Sequence, residues 1–253
     1  MEKFFIEAED KRLYSVYYES AKFSNQGVVL CYPLGQEYIR CHRFYNILAE
    51  KISALGFHVI KFDYSGTGDS KELLTPCKIS NFLDDLSIIY NEFKNVCSLD
   101  SVNLFGTRFG GLVSVLFALK NKIKNLILIS PCFDGNIFVD EMINYHNKWI
   151  NGAFVNKKNT DHDIIEILGF AYQKDFIKEL RRVYLWDEIE NLDNQMLLID
   201  TITNEQLREV NCKNLNIKPL RSGNFWERTE GNMEKGIVPV NEIDIILNWL
   251  SSK

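Results

Sequence analysis

Ten residues near the middle of the chain, Ser101-Val102-Asn103-Leu104-Phe105-Gly106-Thr107-Arg108-Phe109-Gly110, constrain its fold more than any other stretch. A short apolar run meets the frame Gly106-x-x-x-Gly110, with Gly111 just beyond, which predicts a buried strand, a tight turn and a helix start. Glycines are needed on both sides of such a turn, because the strand behind and the helix ahead crowd any Cβ. The centre of the turn is Arg108. A guanidinium is always protonated and only donates hydrogen bonds, so it cannot serve as a nucleophile.

The rest of the chain alternates around this stretch. Phe4–Ala8 and Leu13–Glu19 read as an opening hairpin, and Gly27 to Pro33 as a strand buried on both faces. Leu34-Gly35-Gln36-Glu37 reads as a loop before a helix from Tyr38 to Leu55. A strand over Phe57–Tyr64 runs into the glycine-rich turn Ser65–Ser70, and an amphipathic helix follows over about Ile79–Val96. After the central turn come a helix over Gly110–Leu119 and a strand over Lys124–Pro131. From about Cys132 to Trp186 no strand-like run is clear, and broken helical pieces suggest a helical cap over the sheet. Alternation resumes with strand Gln195–Thr201, helix Glu205–Val210, strand Asn216–Arg221 and helix Val240–Leu250. The expectation is one α/β domain over residues 1–253, a mostly parallel eight-stranded sheet with helices on both faces and a cap insertion at about 132–186.

Composition excludes several function classes. A net charge of −5 with no Lys/Arg stripe argues against a nucleic-acid surface. No run approaches the roughly 18 apolar residues of a membrane span, and the acidic first ten residues do not read as a signal peptide. The six cysteines, at 31, 41, 77, 97, 132 and 212, form no C-x-x-C pair and read as reduced thiols. A soluble cytoplasmic protein without metal or cofactor is expected.

The strand-Pro-x-Gly-x-Glu stretch, Phe62-Asp63-Tyr64-x-Gly66-x-Gly68-Asp69-Ser70, the glycine elbow, the helical insertion and the late strand–helix–strand–helix resemble the α/β-hydrolases of the serine-aminopeptidase-like branch. The elbow of that fold carries its nucleophile in the pattern G-x-S-x-G. Within the branch, an arginine at the elbow is similar to the exosortase-A-associated hydrolases of the second type. The resemblance places the nucleophile seat at Arg108, the acid seat near Thr203, Asn204 or Glu205, and the histidine seat at Asn224 in Ser222-Gly223-Asn224-Phe225-Trp226. None of the four histidines (42, 58, 146, 162) follows residue 162. A neutral amide cannot take a nucleophile's proton.

The residues expected at the site are therefore Arg108, Thr107 and Phe109 from the elbow, Leu34, Gly35 and Glu37 from the first loop, His42, Cys132 and Asp134. Arg108 reads either as an anion-capturing group near a helix N-terminus or as half of an internal pair with Glu37, Asp134 or Glu205. Cys31 and Cys132 read as buried hydrophobes before they read as replacement nucleophiles. Tyr145, Trp149, Phe154, Phe170, Tyr172 and Phe176 line an apolar channel or form the insertion's own core. The expected function is a non-hydrolytic protein on a hydrolase fold that binds an acyl or anionic ligand, or a partner, in a biosynthetic pathway. An active esterase or thioesterase with an unusual site and a scaffold that docks on a partner enzyme are the alternatives.

Overall fold

A computed structural model describes residues 1–8, 10–71, 78–151, 163–201, 213–227 and 237–252. The first half runs β1 (Glu2–Ala8), β2 (Lys11–Tyr18), β3 (Gln26–Cys31), α1 (Gly35–Leu55), β4 (His58–Phe62), α2 (Ile79–Val96), β5 (Ser101–Thr107) and α3 (Phe109–Ala118). The second runs β6 (Asn125–Ile129), α4 (Gly135–Asn151), β7 (Ile164–Ile167), β8 (Phe170–Gln173), α5 (Lys174–Arg181), β9 (Gln195–Asp200), β10 (Leu215–Pro219) and α6 (Val240–Ser251). The expected helix over Glu205–Val210 lies outside the described residues.

Eight strands form one sheet in the order β1-β2-β4-β3-β5-β6-β9-β10. The hairpin β1–β2 is antiparallel and joins β4 antiparallel; every other pairing is parallel. Side chains alternate across each strand, so Leu104, Leu126 and Leu128 meet α2 and α3, while Phe105, Ile127 and Ile129 meet α1 and α6. Both faces being covered is why these strands are apolar throughout. Among the described residues no helix is long and apolar enough to cross a membrane.

Two expectations need correction. Residues 35–37 belong to α1 rather than to a loop: Leu34 is extended and Gly35, at φ 58°, turns the chain straight into the helix. That left-handed residue presses on the cap, since a Cβ there would lie 2.3 Å from the Tyr172 hydroxyl. Between β6 and β9 the chain is also not purely helical. It holds the antiparallel hairpin β7–β8, turned at Leu168 and Gly169 with positive φ. Its β-rich run Ile164-Ile165-Glu166-Ile167 is too short for a periodicity argument to detect.

The strand order fixes where chemistry can occur. From β3 the chain steps to β4 on one side and later to β5 on the other, so the carboxyl ends of β3 and β5 flank a switch point. The glycine frame closes that point. A Cβ on Gly106 would meet the Gly110 carbonyl oxygen at 2.4 Å, and one on Gly110 would meet the Cys31 carbonyl oxygen at 2.1 Å. Gly110→Ala should therefore cost at least about 3 kcal/mol by overpacking against rigid backbone. Gly223→Ala meets no atom within 4 Å and carries only the strain of φ 63°, about 1–2 kcal/mol. Urea denaturation of the two variants tests this ordering.

Candidate functional site

Arg108 sits at the elbow with φ 55° and ψ −121°, a conformation outside the favoured regions that costs about 1–3 kcal/mol. It is pinned from both sides. Its amide donates to the Ile129 carbonyl at 3.1 Å, and its own carbonyl accepts from the amides of Leu112 and Cys132. The turn projects the side chain over the carboxyl edge of the sheet, as the sequence implied.

Arg108 is 8% exposed, and its guanidinium is paired on two of its three nitrogens. Nε donates to Glu37 Oε1 at 3.0 Å, and Nη2 donates to Glu141 Oε2 at 2.5 Å. The Phe138 and Trp226 rings lie near the same group, their centroids 5.2 Å and 5.1 Å from Cζ. Glu37 stands in the first turn of α1, where the helix dipole favours a carboxylate. Burial nevertheless pushes its carboxyl above the usual range, with Arg108 pulling the other way. Burial likewise opposes the charge on Arg108, but the adjacent carboxylates, Glu37 foremost, keep it protonated.

Two recesses share Arg108, Phe138, Glu141 and Trp226. One is a narrow apolar cleft of about 40 Å³ under the cap, walled by Leu34, Met142, Ile167, Tyr172 and Leu180. The other is polar, about 190 Å³, and is bounded by Ser130, Cys132, Asp134, Asp200 and Asn224. Two buried polar atoms of cleft-lining residues, Glu37 Oε2 and Trp226 Nε1, have no hydrogen-bond partner among the described residues. Such atoms are costly unless something satisfies them.

The predicted residues separate cleanly. Leu34 and Glu37 line the cleft, and Cys132 and Asp134 line the polar recess. Thr107 is buried at the end of β5, Gly35 lies behind Tyr172, and Phe109 packs in the core against Phe82 and Phe176. His42 is not at this site: it is exposed on α1 and borders a different recess with Tyr32, Tyr38 and Lys61. One helical turn separates it from Tyr38, and both face β4 rather than the elbow after β5. Asp134 is not the partner of Arg108. Its short carboxylate accepts the amides of Asn136 and Ile137 and caps the start of α4. Asn224 is on the rim and donates to Glu227 at 3.0 Å. Thr203, Asn204 and Glu205 lie outside the described residues, as do His162 and Phe154.

The remaining titratable candidates are occupied elsewhere. His58 Nδ1 bonds the Tyr17 hydroxyl at 2.6 Å, and His146 Nδ1 accepts the Leu168 amide at 3.0 Å. Among the described residues no histidine borders either recess. Burial pushes the Cys31 thiol up to about 12 and raises that of Cys132 as well, so both stay protonated at neutral pH. Of the six cap aromatics, Tyr145, Tyr172 and Phe176 line the cleft, whereas Trp149 is largely exposed.

Sequence reasoning missed four contributors. Glu141 shares a face of α4 with Phe138, Met142 and Tyr145 at helical spacing, and a lone acid within that apolar stripe was its signal. Asp200 ends β9 and accepts the Ser130 hydroxyl at 2.9 Å. Trp226 closes the recesses from a loop held by Glu242, which is fully buried and accepts the amides of Arg221 and Ser222 and the Ser222 hydroxyl. Nothing local in the sequence joins residues 108, 200, 226 and 242.

Comparisons with known proteins agree with this fold. A family model for serine aminopeptidase, S33, matches residues 34–201. A search of curated proteins finds no match. Among solved structures, Est1E from Butyrivibrio proteoclasticus with ferulic acid bound is 12% identical at a TM-score of 0.65, covering 98% of this chain and 99% of that one. The esterase EaEST from Exiguobacterium antarcticum is 20% identical at 0.62, covering 99% and 98%. Alpha/beta hydrolase domain-containing protein 10 from mouse is 15% identical at 0.61, covering 100% and 98%. Likenesses at these identities speak for the fold.

The two ion pairs of Arg108 differ in burial, and so in consequence. Arg108→Ala should destabilise the protein by about 3–5 kcal/mol, because it strands the buried Glu37 carboxylate. The Glu141 side chain is 50% exposed, and Glu141→Gln should cost less than about 1 kcal/mol. Equilibrium unfolding by guanidinium reads both.

Proposed function

The chain belongs to the serine aminopeptidase S33 family of α/β-hydrolases, and from that premise we propose that it binds a short acyl carboxylate at Arg108 without hydrolysing esters. One observation carries the reading: the elbow seat holds a guanidinium already paired, on its cap side, with the half-exposed carboxylate of Glu141. A ligand carboxylate that takes the place of Glu141 leaves the charge of the recess unchanged, so the exchange carries no net electrostatic penalty. The acyl chain then enters the apolar cleft. At about 40 Å³, and with roughly 10–15 Å³ needed per water, that cleft has room for only a few carbons before the cap must move.

The non-hydrolytic part of the proposal rests on chemistry. Arg108 cannot attack a carbonyl, the flanking thiols are protonated, and Asn224 offers no base. The likeness to the exosortase-A-associated hydrolases, a cytoplasmic location and a role beside a biosynthetic enzyme belong to the same proposal.

Thermal shift with butyrate and hexanoate tests binding, beside a chromogenic-ester assay run with an active relative. Melting temperature should rise with ligand concentration, and Arg108→Met should abolish the rise. Glu141→Gln should tighten binding several-fold, since it removes a competitor worth up to about 1 kcal/mol. Ester turnover above background would overturn the non-hydrolytic reading, and absence of any shift would favour the scaffold alternative.

The site should also respond to pH in a defined direction. The Glu37 carboxyl is raised by burial, so it takes up its proton at a higher pH than an exposed glutamate. Protonation frees Arg108 Nε and removes a neighbouring negative charge. Binding of hexanesulfonate, which stays ionised throughout, should therefore tighten as pH falls from 7 to 5, by isothermal calorimetry.

A further inference from the structure

A third recess, of about 420 Å³, lies on the other side of α1, between that helix and strands β1, β2 and β4, and shares no residue with the two around Arg108. Lys61 on β4 lines it and is only 5% exposed. Its Nζ donates to Asn46 Oδ1 at 2.5 Å and to the Tyr32 hydroxyl at 3.3 Å, both neutral acceptors. Among the described residues no carboxylate comes within ion-pairing distance of it. A buried ammonium normally has such a partner, because an uncompensated charge in a low-dielectric site is expensive.

Asp63, the acid acting on Lys61 through its charge, is engaged elsewhere. Asp63 accepts the Tyr38 hydroxyl at 2.9 Å and the Asp69 amide at 3.0 Å, in the closed turn that follows β4. The other titratable groups facing the recess are Met1, Lys3 on β1, Tyr14 and Tyr18 on β2, His42 and Glu50 on α1, and Asp69. Burial, more than any of them, brings the amine of Lys61 down to about 8, and it moves His42 further toward its neutral form.

We propose that Lys61 is a nucleophilic amine that condenses with a small aldehyde or ketone admitted to this recess. The geometry supplies what such chemistry needs: an amine fixed by neutral acceptors, desolvated, and bordering a space large enough for a small molecule. A neutral carbonyl compound suits the recess better than an anion, since Glu50, Asp63 and Asp69 balance the amines of Met1, Lys3 and Lys61 and leave no excess positive charge. In the reaction the amine lone pair forms the bond to the carbonyl carbon, giving a carbinolamine. The carbon–oxygen bond then breaks, the oxygen leaves as water carrying both amine hydrogens, and an imine remains. No oxidant or reductant is involved.

Competitive labelling of the intact protein with propanal and cyanoborohydride, read by peptide mass spectrometry, tests the proposal. An amine titrating near 8 is about a quarter neutral at pH 7.5, against about one part in a thousand for an exposed lysine. Lys61 should therefore be alkylated at least about tenfold faster than exposed Lys51 and Lys120, with a rate midpoint near pH 8. Asn46→Asp, which places a carboxylate against the amine, should slow Lys61 several-fold and move that midpoint up while leaving Lys51 and Lys120 unchanged. Labelling of Lys61 no faster than the exposed lysines, or indifference of its rate to Asn46→Asp, would overturn the proposal.

Discussion

The contact between the Arg108 guanidinium and the Glu37 carboxylate joins the two strand ends that define this fold's switch point. Arg108 follows β5, Glu37 follows β3, and those strands are neighbours in register, with Cys31 opposite Gly106. A charge introduced at the elbow is surrounded by close-packed backbone, and its buried partner comes from the helix that follows the adjacent strand. α1 supplies it from its first turn, where the dipole already favours an anion. The abrupt start of that helix at Gly35 keeps Glu37 in its first turn, within reach of Nε.

Around this pair the cap and the late loop are arranged by the remaining surfaces of one side chain. Glu141 takes Nη2, and the Phe138 and Trp226 rings flank the planar group. The guanidinium thus fastens α4 and the loop before α6 to the sheet. The two pairs are unequal, one deep and one half-exposed, which gives the site a fixed wall and a replaceable one. A buried pair of this kind contributes less to stability than its Coulomb energy suggests, since desolvation offsets most of the gain. Its role is positional: losing either buried member leaves a charge with nowhere to go.

Much of the architecture was legible in the sequence because the central strands are buried on both faces. Continuous apolar runs such as Asn125–Ile129 and Gln195–Asp200 are set apart from the amphipathic helices by length and period. The elbow was legible for a steric reason, since only glycine fits where Gly106 and Gly110 touch backbone. Less was visible where local pattern and tertiary demand diverge. The hairpin β7–β8 is four residues per strand, too short for alternation to declare itself. His42 stood beside the expected site in sequence, and helix rotation turned it toward Lys61.

The sequence by itself determined that residue 108 would be displayed at the carboxyl edge as a permanent cation, because glycine spacing and guanidinium chemistry are properties of the residues alone. It also narrowed the partner to a few acids, with Glu37 among them. Only the tertiary structure decided that Glu141 rather than Asp134 completes the pair. Asp134 is nearer in sequence to the end of β6, but its short side chain is consumed in capping α4, while Glu141 lies about two turns along that helix and reaches back over the elbow. The same holds for Lys61, an ordinary strand lysine in sequence. Its burial against neutral acceptors, with no carboxylate partner among the described residues, arises only once α1, β3 and β4 are packed, since burial and partnering are properties of the assembled neighbours and not of the residue.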